Sequence, residues 1–297
     1  MGIFGRILVG YNFLPEGDLA LRTAQTFAER TNSVLHLLHV VEPSPAYTYK
    51  LLLSERAPLE EVAARLCLDL HAMVKDPAFP RVPVETSVVI GKPFIELLRV
   101  CREWLADLVV VGVSPPGEER FLGSTAERLL RKSPVAVLVA RHELTPGPKT
   151  ILVPTDFSDC AQQAAAHAIA LAQVFGSTVV FLHVVDLYTP HLFGHGSSLV
   201  LQFPLVAREL EAEWEEFLQQ VPRPDAVTWE KLTLEGRAAR TIAQLAKERA
   251  ADLVVMGTHG RSGIVGMLIG SVAEKVVRLT DCSVMTVRPK AFRLHLP

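Results

Sequence analysis

A run of glycines near the C-terminal end carries the strongest chemical signal in the sequence. Gly257-Thr258-His259-Gly260-Arg261-Ser262-Gly263-Ile264-Val265-Gly266-Met267-Leu268-Ile269-Gly270-Ser271 places five of the chain's 18 glycines within fourteen positions. Glycines after a buried strand permit positive φ and let backbone N–H groups approach a ligand closely. At the far end, Ser271-Val272-Ala273-Glu274 has the form of a capping box, which opens a helix through Lys275, Val276, Val277 and Arg278. Such a helix end offers N–H donors and the positive end of a dipole, a combination suited to phosphate. Ser271 can donate to a phosphate oxygen while accepting from a backbone N–H. The competing reading is a tight turn before a capped helix, with no ligand. Two better-known phosphate motifs do not fit: Gly91-Lys92 runs straight into Pro93, so no Walker loop is present, and Gly194-His195-Gly196 fails the dinucleotide spacing at Leu199.

The elements that must position this run occur twice. Ile7-Leu8-Val9-Gly10-Tyr11-Asn12-Phe13 aligns with Ile151-Leu152-Val153-Pro154-Thr155-Asp156-Phe157, and His39-Val40-Val41 with His183-Val184-Val185, at an offset of 144 residues. Ala106-Asp107-Leu108-Val109-Val110-Val111-Gly112 matches Ala251-Asp252-Leu253-Val254-Val255-Met256-Gly257 at 145, and Gly123-Ser124 matches Gly270-Ser271 at 147. A period this long is a whole domain rather than a solenoid repeat. Pro and Gly in Leu144-Thr145-Pro146-Gly147-Pro148 mark the boundary, giving expected domains at 1–143 and 149–297.

Within each copy, β-branched runs alternate with helical-period stretches, as in Ile151 to Pro154, Ala161 to Phe175 and Val179 to Val185. Further strands are expected at Val227 to Leu234, Leu253 to Met256 and Val284 to Val287, and in the first copy at Val84 to Val89, Leu108 to Val111 and Val135 to Val139. The βαβ pattern predicts an α/β fold: two tandem Rossmann-like doubly wound domains, each with a five-stranded, mainly parallel sheet flanked by helices. Ligands of such sheets sit at the carboxyl ends of the strands, near the switch in strand order. The stretches Glu42 to Pro58 and Asp186 to Pro204 read as lids or irregular surface loops.

Taken together, these residues resemble the universal stress protein family. Its ATP-binding members carry a Gly, two residues, Gly, nine residues, Gly and then Ser or Thr, a spacing that Gly257, Gly260, Gly270 and Ser271 match in full. The resemblance extends to Pro154-Thr155-Asp156-Phe157-Ser158, to His183-Val184-Val185 and to Glu235-Gly236, and covers nearly the whole chain twice. It implies that Asp156 and the backbone of Val184 hold the adenine and ribose end, that Met256 and Gly257 line the ribose side, and that Gly260, Gly270, Ser271 and Val272 cradle phosphates. It implies ATP with Mg²⁺ or Mn²⁺ bridging the phosphates and no metal ligand from protein side chains. It also implies an edge strand around Val137 and Val284 through which the halves form an internal pseudo-dimer and chains form a homodimer. Pro154, Thr155, His259 and Arg261 complete the expected site. Asp156 also reads as a helix N-cap, and His259 as a loop hydrogen-bonder, so both alternatives stay open.

The first copy departs from this pattern. Gly112-Val113-Ser114-Pro115-Pro116-Gly117-Glu118-Glu119-Arg120-Phe121-Leu122-Gly123-Ser124 puts Pro115 at the second glycine and is two residues shorter. Two prolines remove two backbone donors, and Glu118 and Glu119 add negative charge. Asn12 replaces the Asp, and Tyr11 replaces a small Thr, which is expected to crowd the pocket. Ser124-Thr125-Ala126-Glu127 keeps the capping-box form. Gly10, Tyr11, Asn12, Val40, Gly112, Gly123, Ser124 and Thr125 are therefore expected to form a weak nucleotide site or none. The leading function is a nucleotide-dependent regulatory or stress-response module. A slow ATPase or phosphotransferase and a ligand-free scaffold are the alternatives, and no catalytic residue is assigned.

Other constellations are declined. His183, His191 and His195 suggest a metal site, since the HxxxH spacing of the last two suits one helix face, but Pro190 and Gly194 oppose a helix there. Ser158 beside Asp156 and Asp159 lacks a base and a nucleophile elbow. His36 and His39 read as core or strand-end residues. Lys92 and Arg237 read as solvated helix starts rather than phosphate partners, and the acidic helix around Leu210 to Leu218 as a solvated face. Cys67, Cys101, Cys160 and Cys282 have no CxxC spacing and read as reduced thiols.

Composition agrees with this reading. Thirty Lys and Arg against 32 Asp and Glu leave a net charge of −2, with no basic footprint for nucleic acid. Mean hydropathy is positive, +0.27, yet no apolar run reaches the roughly 18 residues of a spanning helix. The opening Met1-Gly2-Ile3-Phe4-Gly5-Arg6 lacks signal-peptide or myristoylation features, so the expected location is cytoplasmic, with no membrane partner.

Overall fold

The computed structural model describes residues 3–43, 58–77, 79, 82–113, 122–185, 199–222, 224–260 and 269–288, with the side chains of 199–206 left aside. The chain divides into two compact units, the first built on Met1–Gly147 and the second on Pro148–Ala291.

Unit one contains β1 (Arg6–Gly10), α1 (Pro15–Thr31), β2 (Val34–Val41), α2 (Leu59–Lys75), β3 (Val84–Ile90), α3 (Pro93–Glu103), β4 (Leu108–Gly112), α4 (Ser124–Lys132) and β5 (Ala136–Ala140). Its strand order is β3-β2-β1-β4-β5, and all four pairings are parallel. Unit two contains β6 (Thr150–Thr155), α5 (Asp159–Phe175), β7 (Thr178–Val185), α6 (Leu199–Gln220), β8 (Trp229–Glu235), α7 (Ala238–Glu248), β9 (Leu253–Gly257), α8 (Ser271–Leu279) and β10 (Ser283–Val287). Its order is β10-β9-β6-β7-β8, again with parallel pairs throughout. The doubly wound expectation is met in both units.

The central strands are short and β-branched because helices cover both faces, which leaves no polar face to alternate. Ile7, Leu8, Val9, Leu108, Val109 and Val110 are fully buried in unit one, as are Ile151, Leu152, Val153, Leu253, Val254 and Val255 in unit two. Strand starts are pinned by carboxylates: Asp107 accepts from the backbone N–H groups of Gly5 and Arg6, and Asp252 accepts from those of Lys149 and Thr150.

The helices after the second strands differ. In α6 the acidic residues Glu209, Glu211, Glu215 and Glu216 face solvent while Trp214, Phe217 and Leu218 are buried. Phe157 meets Trp214 edge-on at 5.0 Å and Phe217 at 5.7 Å, and the Trp214 indole N–H donates to Thr233 Oγ1 at 3.0 Å. In α2 the only buried residue is Leu70. Most of the two proposed lid segments lies outside the described residues.

Candidate functional site

In each unit the order reverses beside the first strand, so the crevice of a doubly wound sheet opens between the carboxyl ends of β1 and β4, and of β6 and β9. A histidine ties the second strand to the end of the first, beside this point. His39 Nδ1 lies 2.8 Å from the Tyr11 carbonyl, and His183 Nδ1 lies 2.9 Å from the Thr155 carbonyl. A carbonyl only accepts, so Nδ1 carries the proton in both rings. Burial lowers the pKa of His39, partly offset by this bond.

In unit two a cavity of about 250 Å³ occupies the crevice. Pro154, Thr155, Asp156, Val184, Met256, Gly257, His259, Gly260, Gly270, Ser271 and Val272 all lie on its wall. Arg261 lies outside the described residues, as do His191 and His195. Leu182, His183, Ala238, Ile242 and Thr258 also line it.

Asp156 is not the N-cap of α5. That position belongs to Ser158, whose Oγ accepts from the Ala161 N–H at 3.3 Å. Asp156 Oδ1 accepts from the Ser158 N–H at 3.2 Å and from its hydroxyl at 2.6 Å, so it props the cap instead. The Asp156 carboxylate is thereby turned toward the glycine run: a Cβ on Gly260 would collide with Asp156 Oδ2. Gly257 has a packing role, since a Cβ there would stand 2.8 Å from Cys160 Sγ and 3.1 Å from its carbonyl carbon. His259 Nδ1 is 2.9 Å from Thr258 Oγ1, so it does hydrogen-bond within the loop.

The expected capping boxes do not form. Gly270 is the N-cap of α8 and Gly123 that of α4, neither with a side-chain cap, so Ser271 and Ser124 open the helices instead of capping them. The Gly270 N–H donates to the Thr258 carbonyl at 2.6 Å, and that bond pulls the glycine into the cap position. A glycine cap has no side-chain oxygen to accept the first-turn N–H groups, so these donors face the cavity end. Ser271 and Val272 are exposed there.

Unit one holds a larger cavity, about 480 Å³. Gly10, Tyr11, Asn12, Val40, Gly112, Gly123, Ser124 and Thr125 line it, together with Glu16, Leu38, His39, Pro93, Leu97 and Leu122. Tyr11 does not crowd it. Its hydroxyl donates to Asp18 Oδ1 at 2.7 Å, and burial followed by this bond raises the phenol's pKa, so the ring stays neutral and packed against α1. Asn12 Oδ1 accepts from the Leu14 N–H at 3.1 Å. Gly112 is required for close packing, since a Cβ there would overlap the Glu16 carbonyl oxygen. Gly123 adopts φ +76°, a left-handed conformation, whereas Gly270 is extended at −69°.

Sequence reasoning missed the helical wall. Pro93 and Leu97, and Ala238 and Ile242, are i and i+4 pairs on the first turns of α3 and α7. Their apolar spacing is the signal the sequence offers, just after Lys92 and Arg237. Those two residues are exposed and absent from both walls. Among the described residues no group of three or more His, Cys, Asp or Glu side chains could hold a metal ion, and no helix is long and apolar enough to cross a membrane. None of the four cysteines is in a disulfide; burial pushes the Cys101 thiol up to about 12 and raises Cys160 as well.

Comparison with known proteins accounts for both units. A universal stress protein from Methanocaldococcus jannaschii is 36% identical over 143 residues, covering 47% of this chain and 82% of its own. A Mycobacterium tuberculosis H37Rv universal stress protein is 29% identical over 294 residues, covering 95% and 96% of the two chains. Among solved structures, one described as a universal stress protein from Pseudomonas aeruginosa UCBPP-PA14 superposes with a TM-score of 0.68 at 21% identity, over 97% of this chain and 94% of that one. The universal stress protein family profile matches residues 4–141 and again 147–288, so the chain belongs to the universal stress protein family, with two of its domains in tandem.

Proposed function

We propose that unit two binds an adenine nucleotide, ATP with Mg²⁺ or Mn²⁺, and that its occupancy makes the chain a nucleotide-dependent regulatory module. One observation carries the reading: a single cavity joins the ends of β6 and β7 to the first turn of α8, where a glycine cap leaves backbone donors without a side-chain partner. Apolar strand ends suit a base, the Asp156 carboxylate accepts sugar hydroxyls, and the α8 end with the Ser271 hydroxyl suits phosphate. Pro154, Thr155, Val184, Met256, Gly257, His259, Gly260, Arg261, Gly270 and Val272 complete the proposed site. The ion in this reading is held by phosphate oxygens, hard ligands that suit Mg²⁺. The proposed setting is the cytoplasm, with the chain a homodimer.

Isothermal titration of ATP into the full chain, with and without Mg²⁺, tests this. Saturable binding that is lost on changing Asp156→Ala supports the reading. No heat and no shift in melting temperature at millimolar ATP overturns it.

A further inference from the structure

The residue that follows Asp156 has an unusual backbone. Phe157 adopts φ +63°, in the left-handed region, which a bulky side chain enters only at a cost in free energy. Phe13 does the same at +57° in unit one, so the turn is built twice. In unit two its use is visible in the hydrogen bonds around it. The Phe157 N–H donates to Thr155 Oγ1 at 2.9 Å, and the reversal at Phe157 brings Ser158 back so that its N–H and its hydroxyl both reach Asp156 Oδ1. With Oδ1 so engaged, Oδ2 faces Gly260 on the cavity wall.

A strained turn persists only where its surroundings over-determine it. The Phe157 ring stacks on His183 at 4.4 Å with the planes 23° apart, and His183 also donates to the Thr155 carbonyl. One imidazole thus grips the residues on both sides of Asp156. The other contacts come from α6, where Trp214 and Phe217 meet the ring edge-on, both buried, and Trp214 is pinned to Thr233 on β8. In unit one Phe13 meets Tyr11 and His39, each at 4.9 Å, and α2 contains no Phe, Trp or Tyr to add to them. Phe157, Trp214 and Phe217 are not among the described residues of the cavity wall. We propose that Phe157 is a positioning residue for the unit-two site, and that α6, through Trp214 and Phe217, clamps it in the left-handed turn that aims Asp156 at the sugar of a bound nucleotide. This role rests on the nucleotide reading of unit two and extends that site to residues outside the cavity wall.

Titration of the full chain with Mg-ATP and with 2′,3′-dideoxy-ATP, which lacks the sugar hydroxyls, tests it. The wild type is expected to bind ATP about ten-fold more tightly than the dideoxy analogue. Phe157→Leu keeps apolar bulk but loses the stack, and is expected to bring the two within about two-fold by weakening ATP alone. Trp214→Leu, at the far side of the clamp, is expected to leave a ratio of about three-fold. Should Phe157→Leu not fold, Phe157→Gly enters the left-handed region freely but has no ring to clamp, and is expected to leave about two-fold. An equal loss for both nucleotides, or a ratio of about ten-fold that survives in variants that circular dichroism shows folded, overturns the proposal, as does a wild-type ratio near one. Binding of neither nucleotide by the wild-type chain overturns the parent reading, and this role with it.

Discussion

Unit one and unit two share strand order, parallel pairing and the place of nearly every wall residue, yet they are finished differently at both ends of the crevice. In unit two, Asp156 is held by Ser158 and faces Gly260, which is packed against the carboxylate. In unit one, Asn12 stands there, and the carboxylate comes from Glu16, one helical turn further on. Behind the crevice, α6 is anchored by Trp214 and Phe217, while α2 buries only Leu70. A duplicated fold thus retains its scaffold while the position of the carboxylate lining the cavity and the anchoring of the covering helix diverge. Scaffold residues answer to packing, which both copies need equally; the wall answers to whatever ligand each copy meets.

The anchoring difference can be broken most decisively by Trp214→Ala. It removes a side chain that is 1% exposed, along with its hydrogen bond to Thr233, and is expected to destabilise unit two by about 4 kcal/mol. Leu70→Ala in unit one is expected to cost about 2–3 kcal/mol. Scanning calorimetry of the full chain reads both, and equal losses would mean that the two helices are anchored alike.

The packing of the fourth strands is the next point of contrast. Gly112→Ala drives a methyl group into the Glu16 backbone carbonyl, which a helix start cannot withdraw, and about 3 kcal/mol is expected. Gly257→Ala meets the Cys160 thiol, which can turn, and about 1 kcal/mol is expected. Urea denaturation of the two variants would show whether this order holds or reverses.

For the site itself, Gly260→Val is expected to weaken ATP binding by about 100-fold, which corresponds to about 2.7 kcal/mol. Unchanged ATP affinity in that variant would move the nucleotide out of unit two.

The smallest effect concerns pH. Burial lowers the folded-state pKa of His36 and His39 in unit one below the unfolded 6.5. The unfolded chain therefore binds more protons in that window, so stability falls as pH drops from about 6.5 toward the lowered folded value, and does not change through these groups above it. Melting temperatures between pH 5 and 8 should fall on the acid side for the wild type and flatten for a His36→Asn/His39→Asn chain. Identical profiles for the two would remove these histidines from the account.

Much of the scaffold is legible in residue order. The repeat and the short β-branched runs come from local pattern, because a strand buried on both faces needs a continuous apolar run wherever it occurs. The placement of the glycine run is equally local: spacing alone puts Gly257, Gly260, Gly270 and Ser271 after a strand and before a helix. Local pattern misjudged the caps. Ser271-Val272-Ala273-Glu274 and Ser124-Thr125-Ala126-Glu127 have capping-box spacing, but a bond from Gly270 to Thr258, across the segment between β9 and α8, selects the glycine as cap in unit two. Tyr11 likewise looked obstructive by size, until its bond to Asp18 on α1 turned it aside.

The sequence by itself determined that two similar parallel-sheet domains exist and that one ends in a glycine-rich strand-to-helix connection. The tertiary structure alone decided which oxygen caps α5, which carboxylate lines each cavity, and that the degenerate copy has the roomier one. The physical reason is range. Strand and helix propensities are set within a few residues, whereas the contact of Asp156 with Gly260 joins positions far apart in the chain, and the packing of Glu16 on Gly112 does the same. Neither contact exists until the sheet has formed.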